Sequence, residues 1–359
     1  MHKKLFTPGP TEVRKEVLQE MSRPIIDYFS EEFTELFKDT IKKLQKIFFT
    51  KNPVFLSSST ALGIEEACAR NTIREGKKVL NLVCGAHSER WAKIFKACGK
   101  ESKTVEVDWG KAIKPEIVKK ALENDYFDAV CLTHDETSTG VTNPLEEIAK
   151  VVKEYPNTLL LVDAVSSLVA IPIKVDEWGI DVCLASTQKA LATPPGLAVF
   201  SVSEKTIERA KKVKNRGIYF DFLELLKYHK KRQTVSTGPI SLMYALNKEL
   251  DIILTEGLEN RYKRHQEMAK MVKGWANKNF EDFAEPGYSS LSLTTIKNTK
   301  NIDVEKIKRE LEERGKIISN GFEKLKDITF KISHMGEIYP KDIKELLKDL
   351  DEILKLKKK

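Results

Sequence analysis

From about residue 53 to residue 215, short apolar runs alternate with amphipathic stretches, and this alternation narrows the possible folds more than any other feature of the chain. The runs are VFLS (54–57), KVLNLV (78–83), TVEVD (104–108), DAVCLTH (128–134), TLLLVD (158–163), DVCLAS (181–186) and LAVFSV (197–202). Helical patterns reach Arg70, Ala97 and Leu122 and span Pro144 to Glu154. Continuous apolar runs of this length suit strands buried on both faces. Strands alternating with helices at this spacing predict an α/β layer built on a mostly parallel, mixed sheet.

The texture changes near residue 245. One long helical pattern runs from Leu242 to Asn277, followed by a strand-like segment, SSLSLTTIKN (289–298), and a helix from Val304 to Arg314. ITFKISHM (328–335) reads as a further strand, and the last twenty residues read as helical. The chain of 359 residues exceeds the usual size of a single core. The expected organisation is an N-terminal arm (1–15), a large α/β domain (16–245) and a smaller α+β domain (246–359). There are no internal repeats and no low-complexity segment.

Composition removes several function classes. Hydrophobic residues make up 41% and charged residues 32%, which suits a folded core and not a disordered chain. The net charge is +8, but Lys and Glu alternate along most of the chain, the pattern of solvated helix faces and not of a nucleic-acid surface. One dense basic stretch, KYHKKR (227–232), is either a surface turn or a funnel for anions. The closing Lys-Lys-Lys reads as a frayed tail. Five cysteines (68, 84, 98, 131 and 183) form no Cys-x-x-Cys pair and read as free thiols, as in a reducing compartment. The N-terminus lacks a signal-like apolar stretch, and Asp163 interrupts the longest apolar run. A cytoplasmic protein is expected, without a membrane span or a metal site.

Ligands of open α/β sheets bind beyond the carboxyl ends of the strands, so chemistry is sought there. Asp163 ends the apolar strand LLLVD, where a carboxylate is costly to bury without a cationic partner; it is either a turn or cap residue, or the counter-charge of a bound cation. Lys189, in ASTQKALATPPG, is flanked by small residues and two strand-like runs. In that setting a lysine is either simply solvated or a nucleophilic amine with a depressed pKa. Ser57, Ser58, Ser59 and Thr60 follow the first strand and open a helix, where hydroxyls and free N–H groups make either an N-cap or an anion cradle. His87 opens the next helical pattern.

Order makes these separate signals specific: hydroxyl turn, aromatic residue, acid at a strand end, then a lysine 26 positions later. With FTPGPTEV (6–13), ERWAKI (89–94), HDETSTGVTNPLEEIA (134–149), LLLVDAVSSL (159–168), the segment 175–204, ISLMYAL (240–246) and FKISHMG (330–336), the chain resembles the class V (fold type I) aminotransferases of the alanine–glyoxylate and serine–pyruvate group. The resemblance covers essentially the whole chain. It implies a pyridoxal 5′-phosphate (PLP) enzyme in which Lys189 forms the Schiff base and carries the proton, while Asp163 pairs with the pyridine nitrogen. It places Ser59, Thr60, Ala61 and Gln188 at the phosphate, His87 against the ring and Thr137 near the ring's 3-oxygen. Thr234 and Thr237 match positions that reach the phosphate of a neighbouring subunit, implying a homodimer with shared active sites. Gly9 and Lys331 match substrate-facing positions.

Four departures concern this site. The phosphate turn, usually Ser-Gly-Thr, is Ser59-Thr60-Ala61, and the usual Trp or Phe stacker is His87. Lys331 stands where an arginine normally grips the substrate carboxylate with two prongs, a geometry a point charge does not reproduce. Asp27, Tyr28 and Phe29 replace a common Gly-His-Arg run. The expected reaction is transfer of an amino group from alanine or serine to glyoxylate or pyruvate. Phosphoserine is an alternative donor, for which KYHKKR would serve the phosphate. A lyase or cysteine desulfurase on the same fold needs a nucleophilic cysteine in the second half of the chain, and the last cysteine is Cys183. A non-catalytic relative would have no packing reason to keep both Lys189 and Asp163.

Overall fold

A computed structural model describes residues 2–356; the tail Lys357–Lys359 lies outside the described residues. The apolar runs form a seven-stranded sheet: β1 (Val54–Ser57), β2 (Lys78–Val83), β3 (Glu101–Glu106), β4 (Ala129–Thr133), β5 (Leu159–Asp163), β6 (Val182–Ser186) and β7 (Ala198–Val202). Their order across the sheet is β1-β7-β6-β5-β4-β2-β3. Only β7 runs against its neighbours; β6, β5, β4, β2 and β3 are mutually parallel. Alternate residues serve opposite cores. Leu160 and Val162 of β5 join the cluster on one face with Leu80, Leu82 and Leu132, and Leu159 and Leu161 join Val79, Ala129 and Phe200 on the other. Burial on both faces is why these strands read as unbroken apolar runs.

Two expectations are corrected. The strand read at 104–108 lies at Glu101–Glu106, paired with β2 from Lys78↔Glu101 to Val83↔Glu106. It is a sheet edge, exposed over most of its length, so its charged first residues carry no apolar signal. The single helix read over 242–277 is two helices, Ile240–Glu256 and Leu258–Asn279. Gly257 separates them at φ 79°, a backbone region that favours glycine. The first helix remains part of the large-sheet core, to which Met243, Leu246, Leu250 and Ile253 belong.

Beyond Gly257 a second core gathers Met268, Val272, Ile296, Leu311, Phe330, Ile332 and Leu346. It lies on a four-stranded antiparallel sheet of β8 (Glu281–Asp282), β9 (Leu293–Lys297), β10 (Ser319–Asn320) and β11 (Thr329–Ser333), ordered β8-β9-β11-β10. The N-terminal segment crosses to this unit. Lys4–Leu5 pairs in parallel with Lys316–Ile317, and Phe6 is buried in the second core. Among the described residues no helix is long and apolar enough to cross a membrane.

Candidate active site

The carboxyl ends of β1, β4, β5 and β6 converge on a cavity of about 330 Å³, lined by Thr60, Ala61, Leu62, His87, Arg90, Asp135, Thr137, Asp163, Val165, Ser186, Gln188 and Lys189. That volume is at the lower end of the range for small-molecule sites. Lys189 follows β6 on a loop whose carbonyls are bound from elsewhere: Thr11 Oγ1 donates to the Lys189 carbonyl at 2.8 Å and the Thr11 amide to that of Gln188 at 3.1 Å. The Lys189 ammonium donates to the carbonyl of Pro8. Burial, reinforced by the Lys331 charge, pushes the Lys189 amine down to about 8, so a minor neutral fraction is present at pH 7 and grows steeply above it.

Asp163 closes β5 and is buried. Among the described residues the Val165 amide, at 2.8 Å, is the one hydrogen-bond donor to its carboxylate. Burial pushes Asp163 up to about 6. Its charge is thus poorly compensated by the chain itself, and a cation delivered into the cavity would be held by it. His87 sits in the first turn of helix Ala86–Ala97. Burial lowers its imidazole to about 4, so the ring is neutral.

The hydroxyl turn is in place at the end of β1. Thr60 precedes helix Ala61–Thr72, and the Ser59 and Ser57 hydroxyls are 2.9 Å apart. The Ala61 amide donates to Ser186 Oγ at 2.9 Å. Thr137 is buried, its hydroxyl 2.6 Å from that of Ser166. Gly9 lies against the lysine: a Cβ there would fall 2.7 Å from Cδ, Cε and Nζ of Lys189, and its φ is +143°. Lys331, on β11, is buried, and burial lowers its amine to about 8.

Some predicted residues are not brought to this cavity within one chain. Thr234 lies near Ser57, Ser58 and Tyr219, its hydroxyl donating to the Ser236 carbonyl at 2.6 Å, and Thr237 is exposed. KYHKKR spans the end of helix Phe222–Lys230 and does not line the cavity; its His229 packs inward between Phe37 and Phe55. No cysteine lines the cavity either, and Cys183 is buried with its thiol pushed up by desolvation.

The class-V aminotransferase family model matches residues 5–331. The chain belongs to the class-V aminotransferase family. An uncharacterized aminotransferase of Methanocaldococcus jannaschii is 40% identical over 358 residues, 98% of this chain and 93% of that protein. A serine–glyoxylate aminotransferase of Arabidopsis thaliana is 33% identical over 362 residues, 98% and 90% of the two chains. The crystal structure of an alanine–glyoxylate aminotransferase from Nostoc sp. superposes with a TM-score of 0.93 at 28% identity, covering 99% of this chain and 96% of the other. The fold is accordingly the α/β fold of the fold type I aminotransferases, and the protein is an aminotransferase.

Three ionisable residues of this candidate site escaped the sequence reading. Glu136, fully buried, caps the helix that carries His87 and Arg90. One oxygen accepts from the His87 amide (3.2 Å), the Ser138 amide (3.1 Å) and Ser138 Oγ (2.7 Å); the other accepts from the Ser88 amide and hydroxyl (both 2.9 Å). Arg90 lines the cavity and pairs at 3.4 Å with Glu65, which is fully buried. Burial, together with the Asp163 charge, pushes Glu65 up to about 8. The available signals were ionisable residues inside otherwise matching motifs: Glu136 in HDETSTG and Arg90 in ERWAKI.

Proposed function

We propose that this aminotransferase binds PLP in the Lys189 cavity and exchanges the amino group of a small neutral amino acid, such as alanine or serine, with a small 2-oxo acid, such as glyoxylate or pyruvate. The observation that carries the reading is the meeting of Lys189 and Asp163 in one cavity beside His87. The residues fit the cofactor: a partly neutral amine, a buried carboxylate short of partners and a helix N-terminus with hydroxyls. PLP supplies an aldehyde carbon for amino transfer and an electron-accepting ring.

The chain's own residues have distinct tasks in this reading. Lys189 Nζ would hold the cofactor and, when released, carry the proton from the substrate α-carbon to the cofactor carbon that takes up the amino group. Asp163 keeps a proton on the ring nitrogen, and the neutral His87 imidazole offers a stacking face. Ser59, Thr60, Ala61 and Gln188 take the phosphate, Thr137 the ring's 3-oxygen side, and Lys331 the substrate carboxylate, with Gly9 leaving space beside the lysine. Thr234 and Thr237 serve the site of a second copy in a homodimer. The relatives named serine–glyoxylate and alanine–glyoxylate aminotransferases support the choice of substrates. The position of KYHKKR gives no support to phosphoserine, and the absence of cysteine from the cavity lining gives none to a desulfurase.

We further propose an arm, a large unit ending at Glu256 and a small unit beginning at Leu258, since packing against the large sheet continues to Ile253. The free thiols are in keeping with a cytoplasmic location. The test is borohydride reduction of the protein equilibrated with PLP, followed by peptide mass mapping. The expected label is on Lys189 and is lost in Lys189→Ala; a label elsewhere, or none, refutes the reading.

A further inference from the structure

The segment after β10 is a tightly built loop that delivers one aromatic ring to His87. Asn320 Oδ1 accepts from the amides of Gly321 (2.7 Å) and Asp327 (2.9 Å), and the Gly321 amide also donates to the Thr329 carbonyl (2.9 Å). The loop passes so close to itself that a Cβ at Gly321 would fall 1.9 Å from the Leu325 carbonyl oxygen. Lys324 anchors it to the large unit, its ammonium 3.8 Å from the centre of the Trp109 ring.

Phe322 lies between Gly321 and Lys324. Its ring stacks on His87 with centroids 5.6 Å apart and planes 13° apart, and the Lys331 ammonium is 5.5 Å from its centre. The residue nevertheless remains 42% exposed, so packing accounts for only part of its surface. It bridges the aromatic residue of the cofactor cavity and the buried cation of β11.

We infer that Phe322 is a specificity-determining residue: it forms the apolar boundary beside Lys331 and limits the amino donor to a short side chain. The inference rests on the proposed role of Lys331 as the carboxylate site. A carboxylate held there has the Phe322 ring as its neighbour, and a long or branched side chain has to compete with that ring for space. Truncating the ring opens that space, removes a stacking neighbour of His87 and leaves Lys189 and Asp163 untouched.

The experiment compares the unmodified enzyme with Phe322→Ala and Phe322→Leu in two readouts. The first is kcat/KM for alanine, serine, leucine and phenylalanine as donors. The second is calorimetric binding of unreactive carboxylates, propionate against 4-methylpentanoate and 3-phenylpropionate. Phe322→Ala is expected to raise the leucine-to-alanine ratio of kcat/KM by at least about tenfold, the order that one or two methylenes command in an apolar pocket. It should also favour the larger carboxylates, with Phe322→Leu intermediate. Unchanged ratios in both readouts, with melting temperatures preserved, overturn the inference. A variant that loses dimer mass without any change in selectivity overturns it as well, because the ring then serves a contact between copies. If the unmodified protein transaminates none of the four donors, the functional reading fails by itself, and the carboxylate series still decides the role of Phe322.

Discussion

Glu136→Gln separates charge from shape at the residue that organises the cavity's helix. The glutamate accepts five hydrogen bonds, two from the Ser88 amide and hydroxyl and three from the His87 amide and the Ser138 amide and hydroxyl. Glutamine has one acceptor oxygen and presents an NH₂ group to the other set. With that oxygen facing Ser138, the Ser88 amide loses its acceptor, while the Ser88 hydroxyl can still donate to the Gly85 carbonyl at 3.0 Å. One buried amide left unsatisfied costs about 1–3 kcal/mol, and loss of a negative charge at a helix N-terminus adds about 0.3–2 kcal/mol. The expected destabilisation near neutral pH is about 3 kcal/mol. Desolvation raises the Glu136 pKa, but the neighbouring His87 and the Ser138 and Ser88 donors outweigh it, and the net displacement is downward. A carboxyl whose pKa is lower in the folded state contributes stability above its unfolded value, and that contribution disappears as pH falls through the folded value. The gap between the two proteins should therefore be full at pH 7 and narrow below about pH 4. Urea unfolding of the cofactor-free proteins across that range measures it. Equal stabilities at pH 7, or a gap that does not narrow in acid, would show that the charge of Glu136 does not hold this helix.

Two further outcomes follow from the lysine's surroundings. The rate at which added PLP becomes attached to Lys189 should increase as pH rises through about 8, because only the neutral amine is nucleophilic. Stopped-flow absorbance gives the midpoint, and Lys331→Met, by removing a like charge, should move it upward; an unmoved midpoint would refute the coupling. Gly9→Ala places a methyl 2.7 Å from the Lys189 side chain on a backbone that disfavours it. Its kcat should fall at least about tenfold with circular dichroism unchanged, and full activity would show that the arm gives way freely.

Six of the seven strands were legible because they are buried on both faces, and each lies within a residue or two of its apolar run. The exception, β3, is the polar edge, where pairing with β2 and not burial fixes the strand. Gly257 was visible in the sequence, yet its interruption of the helix was not, because the apolar pattern continues on both sides while the partner changes from the large sheet to the small one. For the site, motif order was enough to select Lys189, Asp163 and the Ser59 turn. Phe322 carried no such signal; its position depends on a loop closed by Asn320 and Gly321, and contact with His87 more than two hundred residues away is a matter of tertiary structure.

Charge patterning misled in one place, and the reason lies in the geometry of the lysine loop. Alternating Lys and Glu reads as a solvated helix face, but Glu249 and Arg261, on the helices flanking Gly257, are both fully buried. Arg261 donates to the Ala190 carbonyl at 2.7 Å and to Glu256 at 2.8 Å, and lies 3.3 Å from Glu337, which Arg14 of the N-terminal region also engages. Burial and the neighbouring Glu337 push Glu249 up to about 9, so it is neutral at pH 7 and does not oppose Glu337 with a second charge. An Arg–carboxylate cluster of this kind is costly to desolvate, and replacing it with apolar residues is often neutral or stabilising. Its position accounts for its form. The residue after Lys189 has its carbonyl held by Arg261, while Lys189's own carbonyl is held by Thr11, so the lysine backbone is fixed from the small unit and from the arm at once. A hydrophobic substitute would fill the same volume without offering a donor to that carbonyl, and the loop carrying the reactive amine would lose its one bond from the small unit.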